Sequence, residues 1–241
     1  MADVAATYSK PGEYEGSTLE GLRNGRGKYR FANAFFTYEG EWADGVMSGE
    51  GRLTMADGGS YEGTFENGAM SGAGMRRWAN GNTYSGQFVA GELSGEGMWI
   101  SAAGETYEGQ FVANQREGRG VLINSSGDRY EGEFSAHRMA GEGAMDYADG
   151  GRYEGNWLAS QRAGIGRMVW AGGDAYEGVW EAGRAHGDGC LTHPAGYVRE
   201  GDWAEDFPTT VASRLVVSGW VPPPTELRIE DLVRTRRRCK C

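Results

Sequence analysis

The chain has 241 residues, a formal net charge of −10, a pI of about 4.9 and only three cysteines. Five of its 24 lysines and arginines lie in the last eight residues, so residues 1–233 carry 19 basic against 34 acidic side chains, a net charge of −15. This balance excludes nucleic acid as a partner of the body and disfavours anionic lipid. Because no apolar run of about eighteen residues and no apolar N-terminal segment occurs, we expect no membrane span, no signal peptide and a reducing, cytoplasmic compartment.

A fixed period follows the N-terminal lead of residues 1–11. From Tyr38-Glu39-Gly40 the same pattern returns every 23 residues and ends at Arg199-Glu200-Gly201. A Gly-x-Gly pair stands eleven residues after each Tyr position, as at Gly72 after Tyr61. Because the Tyr position and the Gly-x-Gly pair recur with the same period, the sequence predicts a repeat array, which we place at residues 12–206.

Each repeat has the pattern of a β-hairpin. In the unit that begins at Tyr61, the side chains of Tyr61 to Phe65 alternate between two faces, which is strand periodicity. A loop over residues 66–71 then leads to a second short strand over residues 75–78, and a glycine-containing turn returns the chain to the next Tyr. The sequence therefore predicts an all-β, elongated, single-layer antiparallel sheet of about nine consecutive hairpins. The first spacing is 24 residues, and we expect a longer turn or a bulge near residues 32–34 to hold the extra residue.

The period stops after Trp203. Residues 207–220 are predicted to contain a capping edge strand, centred on residues 213–218, that covers the end of the sheet. Residues 221–241 begin with three prolines and form a Pro-rich linker and basic tail whose fold the sequence does not specify.

The Tyr-Glu-Gly-x-Trp/Phe strand, the Gly-x-Gly pair and the 23-residue period resemble the MORN repeat. The resemblance covers about residues 12–206 and implies a twisted sheet whose grooved face binds partner proteins. It also implies roles in cytoskeletal, ciliary or flagellar, basal-body or cortical assemblies, with phospholipid binding or homodimerisation in some members. Here the repeat loops, such as residues 66–71, are poor in the lysines common in the consensus, which weakens the lipid interpretation.

Two aromatic columns are the candidate binding groove, for a partner helix or an extended peptide. The alternative is that the rings only bury one another. The indoles Trp78, Trp99 and Trp170 on second strands favour binding. The candidate groove residues are Tyr61, Phe65, Tyr84, Phe88, Tyr107, Phe111, Tyr130, Phe134, Tyr153, Trp157, Tyr176 and Trp180.

Nothing in the sequence indicates an enzyme or a cofactor. The Glu of each repeat recurs about every 10 Å across the predicted sheet, too far apart for a carboxylate pair, so we interpret the row as solvated or paired with Arg. Ser85 alone interrupts it. His186, Cys190 and His193 have a metal-like spacing, but strand alternation should separate them, and we expect no metal site.

The basic tail suggests a second function. Basic charge together with acylation or prenylation of a Cys-x-Cys would give two-signal membrane anchoring. The alternative is a disordered, solubilising tail with incidental cysteines. The residues concerned are Arg236, Arg237, Arg238, Cys239 and Cys241.

Overall fold

The computed structural model describes residues 12–32 and 35–215, with side chains as far as Thr210. This part of the chain is all-β: it contains strands and turns and no helix. It divides into two compact units, with the boundary at residues 115–116. Each strand is antiparallel to the next within its unit, so consecutive hairpins build an open sheet, as the repeat pattern predicts.

In the described residues, unit 1 contains nine strands. They are β1 (Glu13–Leu19), β2 (Leu22–Arg30), β3 (Phe36–Ala43), β4 (Val46–Met55), β5 (Ser60–Glu66), β6 (Ala69–Arg77), β7 (Thr83–Val89), β8 (Glu92–Ile100) and β9 (Thr106–Val112).

Nine more strands lie in the described part of unit 2, the first of which begins one residue before the boundary. They are β10 (Gln115–Ile123), β11 (Arg129–Ser135), β12 (Arg138–Asp146), β13 (Arg152–Leu158), β14 (Gln161–Val169), β15 (Ala175–Glu181), β16 (Arg184–Thr192), β17 (Tyr197–Ala204) and β18 (Phe207–Leu215).

The first turn of each hairpin is tighter than predicted. Between β5 and β6 only Asn67 and Gly68 turn the chain, both with positive φ (49° and 82°), as in a type I′ turn. The expected six-residue loop over residues 66–71 is therefore wrong. The second strand already begins at Ala69, and Gly72, with φ of 60°, lies where the register shifts and lets pairing continue through a bulge.

The second turn is the longer one. The amide of Met55 donates to the carbonyl of Gly59, four residues on, and later repeats use the same geometry. The glycine near the end of each of these turns has φ between 88° and 94°, as its position predicts. At the first such turn the amide of Phe31 donates to Phe36, five residues on. This confirms that the 24-residue spacing is absorbed there.

The core of each sheet consists of tyrosine rings lying over glycines. Tyr61 is fully buried, and a Cβ added to Gly74 would lie 2.4 Å from its hydroxyl and 2.6 Å from its ring; one added to Gly63 would lie 2.7 Å from the hydroxyl. Gly63 and Gly74 are directly paired between β5 and β6. A single sheet can therefore bury a large ring because both strands leave room for it.

The last hairpin contains the strand β18, which pairs with β17 from residue 207 to residue 215. We expected the capping strand to centre on residues 213–218, and residues 216–220 lie outside the described part of the chain. The N-terminal lead and the linker and tail also lie outside it.

Candidate interaction surface

The face that carries Tyr61, Gly63 and Phe65, and the equivalent residues of the other repeats, is called the aromatic face. Tyr61 packs edge-to-face against Phe65 of its own hairpin, with ring centroids 5.1 Å apart, and against Phe88 of the next, at 4.9 Å. In unit 2, Tyr153 makes the same two contacts with Trp157 and Trp180, at 5.1 and 5.3 Å. Within each unit, these contacts join neighbouring repeats into a continuous core.

All twelve candidate groove residues belong to this core. Their tyrosines are 0–1% exposed and their Phe and Trp rings 1–5% exposed. Partner binding by these rings stays a prediction, because a partner could reach only small parts of them. What the sequence left open is how completely the rings cover one another, and the accessible surface of this face belongs to other residues.

Polar atoms within the core find partners in the backbone. The hydroxyl of Tyr61 donates to the carbonyl of Thr64, 3.0 Å away, and the indole N–H of Trp180 donates to Gly166 of the preceding hairpin, at 3.0 Å. Burial raises the pKa of Tyr61 to about 12, and nearby Glu50 adds to the effect. The rings are therefore fixed in position and remain protonated at physiological pH.

One accessible aromatic surface of unit 1 lies beside the second turns after β6 and β8. Trp78 and Trp99 are half-buried, and their ring centroids are 4.9 Å apart. The guanidinium of Arg76 lies 4.8 Å from the ring of Trp78. Its Nε is buried without a hydrogen-bond partner, and desolvation lowers the pKa of this side chain. We call Arg76, Trp78 and Trp99 the tryptophan pair site.

The opposite face carries the glutamate row and is called the glutamate face. Glu39 lies 3.3 Å from Lys28, and Glu131 lies 2.6 Å from Arg129, with both carboxylates more than half exposed. These ion pairs fit the interpretation that the glutamates are solvated or paired with basic side chains. Exposed pairs of this kind contribute little to stability.

Ser85 marks an apolar patch on the glutamate face that we did not predict. It is in register with Met75 on one side and Met98 on the other, and these two are 57% and 41% exposed. Ile100, two residues beyond Met98 on the same strand, is also exposed. A sequence signal existed, because the residue fourteen positions after each Tyr faces the glutamate row and changes from Lys28 and Arg52 to methionine.

The three residues with metal-like spacing lie on both faces of the sheet. His186 is in register with Val179 and Cys190 with Glu177, on the glutamate face, whereas His193 lies two residues after Leu191, which is in register with Tyr176 on the aromatic face. His186 Nε2 is 3.4 Å from Glu181, and His193 Nε2 is 3.8 Å from Asp174. In the described residues no group of three metal-ligating side chains comes together.

No helix long and apolar enough to cross a bilayer is present among the described residues. The tail residues proposed for membrane binding, Arg236, Arg237, Arg238, Cys239 and Cys241, lie outside the described part of the chain.

Solved structures with a similar arrangement of strands are distant. The TCP domain of SAS-4 (dCPAP) from Drosophila melanogaster, solved with a proline-rich motif of Ana2 (dSTIL), is 13% identical, with a TM-score of 0.43 over 75% of this chain and 97% of that one. An inactive virginiamycin B lyase from Staphylococcus aureus with quinupristin is 9% identical, with a TM-score of 0.19 over 86% and 75%. Likenesses this weak do not bear on function.

The repeat itself gives a clear match. The family model of the MORN repeat matches eight times and covers most of the chain. The matched residues are 14–33, 38–60, 61–83, 84–106, 107–129, 130–152, 153–175 and 176–196. These boundaries agree with the hairpins, since each complete match begins at the Tyr of one repeat. The chain belongs to the MORN-repeat family.

Proposed function

We propose that this protein is a non-catalytic scaffold that binds a helix or an extended peptide of a partner protein on its aromatic face. MORN repeats are generally protein or membrane interaction modules rather than enzymes. The tryptophan pair site is the observation that supports this proposal best. It presents two indoles and a guanidinium, the side chains that most often dominate binding energy at protein interfaces.

The layer beneath this site favours tight binding. Arg76 is in register with Tyr61 and Tyr84, whose rings are fully buried, so the site stands on a fixed base. A rigid site loses little conformational entropy when a partner binds. A hydrogen-bond acceptor on the partner, such as a carboxylate or a carbonyl, would also offset the desolvation of the Arg76 guanidinium.

The experiment compares two double variants in the same two repeats. Proximity labelling with the intact protein would supply a candidate partner, and its binding would be measured with purified proteins. We expect Trp78→Ala with Trp99→Ala to weaken binding by a factor of about ten or more, as loss of a hot spot does.

The matched control is Met75→Ala with Met98→Ala, which truncates exposed side chains of β6 and β8 on the glutamate face. This variant should keep normal affinity. If the methionine variant loses binding and the tryptophan variant does not, the interface lies on the glutamate face and the proposal is wrong.

We further propose that the partner belongs to a cytoskeletal, ciliary or flagellar, or cortical assembly, and that the scaffold acts in the cytoplasm at such a structure. The family supports this proposal. Imaging of the tagged full chain tests it, and a uniform distribution in ciliated cells would contradict it.

A second candidate function is membrane tethering by the tail. Five basic residues among the last eight, with two cysteines, contrast with the acidic body and favour it. We expect binding to vesicles that contain phosphatidylserine, and loss of this binding when residues 234–241 are removed. Equal vesicle binding by both chains would exclude the tail as the anchor.

A further inference from the structure

Unit 2 contains an apolar cleft on its aromatic face that the proposed function does not use. It lies beside the second turns, where β14 leads to β15 and β16 leads to β17, and measures about 500 Å³. Its lining is mostly apolar. Trp170, Leu191 and Tyr197 provide most of the apolar wall, and Asp174, His193 and Arg199 provide the polar part.

The cleft exists because the tyrosine column ends here. Arg199 occupies the Tyr position of the last repeat and is exposed, so no ring covers this part of the sheet. The backbone explains the change. In the earlier hairpins two glycines pair beneath each ring, whereas Gly201 is in register with Val211. A tyrosine at 199 would lack the second glycine that the other rings lie over.

The walls of the cleft suit an aromatic side chain. Trp170 is 37% exposed and Tyr197 is 57% exposed, whereas the column tyrosines of this unit, Tyr130, Tyr153 and Tyr176, are 0–1% exposed. The histidine on the rim is held in place: its Nδ1 accepts a hydrogen bond from the amide of Ala195, 3.0 Å away, and its ring contacts that of Tyr197. A ring inserted between Trp170 and Tyr197 would cover apolar surface that now faces water.

The position of β18 indicates which ring is available. The last described residue of this strand, Leu215, is in register with Tyr197, so the chain leaves the described sheet next to the cleft. The residues that follow are Val216, Val217, Ser218, Gly219, Trp220 and Val221. Five residues beyond Leu215 reach up to about 17 Å when extended, and neighbouring strands are about 4.8 Å apart. β16 lies two strand spacings, about 10 Å, from β18, so Trp220 can reach the middle of the cleft.

We propose that Trp220 of the same chain occupies this cleft, packing between Trp170 and Tyr197. Gly219 gives the backbone freedom to turn back over the sheet, and Pro222 ends any further strand pairing. The segment after β18 then does for the last repeat what the tyrosine ring does for the others: it covers the aromatic face. This inference is independent of the tryptophan pair site, which lies in unit 1.

Fluorine NMR of the full chain labelled with 5-fluorotryptophan tests the proposal, with the signal of Trp220 assigned from a Trp220→Phe variant. In the unaltered chain we expect the H2O/D2O solvent isotope shift of this signal to be less than about half that of the free amino acid, because a buried indole has lost most of its contact with water. Trp170→Ala should restore the shift to the free value. The matched control is Trp78→Ala, since Trp78 and Trp170 hold the same position in their repeats.

The outcomes separate the possible occupants. A Trp220 signal with the free value in the unaltered chain overturns the proposal, and so does a protected signal that Trp170→Ala leaves unchanged. Protection that disappears on dilution also overturns it, because the cleft would then be filled by a second copy. Protection that is independent of concentration and is lost only with Trp170→Ala supports the proposal.

Discussion

The neighbouring hairpins β15–β16 and β17–β18 of unit 2 differ in the residue at the Tyr position and in the backbone beneath it. In the first, Tyr176 is buried and its hydroxyl end lies over Gly178 and Gly189, which are paired across the two strands. In the second, Arg199 is exposed and Gly201 is in register with Val211. The pair of glycines therefore accompanies the buried ring, and where one glycine is missing the ring is missing too.

This difference shows what the glycine columns do. A ring in a single sheet can be buried only if the backbone beneath it carries no side chains, because otherwise it would be held away from the sheet and exposed. The repeat thus specifies a thin core in which each ring lies directly on backbone, and an apolar cleft lies where that arrangement stops in the last repeat.

The largest expected effect comes from removing the ring itself. Tyr176→Ala should lower the free energy of unfolding by about 4 kcal/mol, because it leaves a cavity where Trp180 and Trp203 pack against the ring. Arg199→Ala, at the equivalent position, should change it by less than about 0.5 kcal/mol. Urea unfolding measures both. Similar losses for the two variants would abolish the distinction between the hairpins.

Adding a side chain beneath the ring should lower the free energy of unfolding nearly as much as removing the ring. A Cβ at Gly189 would lie 2.2 Å from the hydroxyl of Tyr176 and 2.5 Å from its ring, so Gly189→Ala should destabilise by about 3 kcal/mol as the ring is displaced. Gly172→Ala is the control, since nothing lies within 4 Å of its added Cβ. Urea unfolding that does not distinguish these two alanines would rule out close packing of ring on glycine.

Alkaline pH should weaken the repeats that contain buried tyrosines. Burial raises the pKa of Tyr38, Tyr61 and Tyr84 from 10.0 to about 12. Above pH 10 the unfolded chain loses phenolic protons that the folded chain still holds, so stability should fall as pH rises from 10 to about 12.

The urea midpoint as a function of pH measures this decline. Tyr61→Phe removes one titrating group and should make the decline shallower, although it also removes the hydrogen bond to Thr64 and lowers stability at neutral pH by about 1 kcal/mol. An unchanged slope would mean that Tyr61 is accessible to hydroxide.

The smallest effect concerns the type I′ turns. Ala136 has φ of 47°, close to the 49° of Asn67 at the same place in another repeat. Because Asn tolerates this conformation better than Ala, Ala136→Asn should stabilise by about 0.5 kcal/mol, and Asn67→Ala should destabilise by a similar amount. Thermal unfolding of both variants checks the opposite signs, and changes of the same sign would contradict the turn assignment.

Much of the fold could be predicted because the same 23-residue pattern recurs along the sequence. The period, the strand alternation and the second-turn glycines defined the hairpins. Asn67-Gly68 carries the sequence signal of a tight type I′ first turn, which we did not use, whereas pairs such as Ala136 and His137 carry none and adopt positive φ within the paired strands. The cleft depends on the register of Val211 with Gly201, which follows from how β18 pairs and not from any motif.

The candidate site was harder to predict for a related reason. Conspicuous aromatic columns suggest a binding groove, but burial depends on contacts between repeats, such as that of Tyr61 with Phe88. The accessible side chains, Trp78 and Trp99 on one face and Met75 and Met98 on the other, vary from repeat to repeat, and a period does not reveal them.

Proton NMR contacts between Tyr176 and the glycines beneath it test the central claim most directly. With selectively labelled Tyr and Gly, we expect strong nuclear Overhauser effects from the ring ε protons of Tyr176 to the α protons of Gly178 and Gly189. If the ring protons show no contact with either glycine and the hydroxyl proton of Tyr176 exchanges freely with solvent, the tyrosine columns are not the core of this protein.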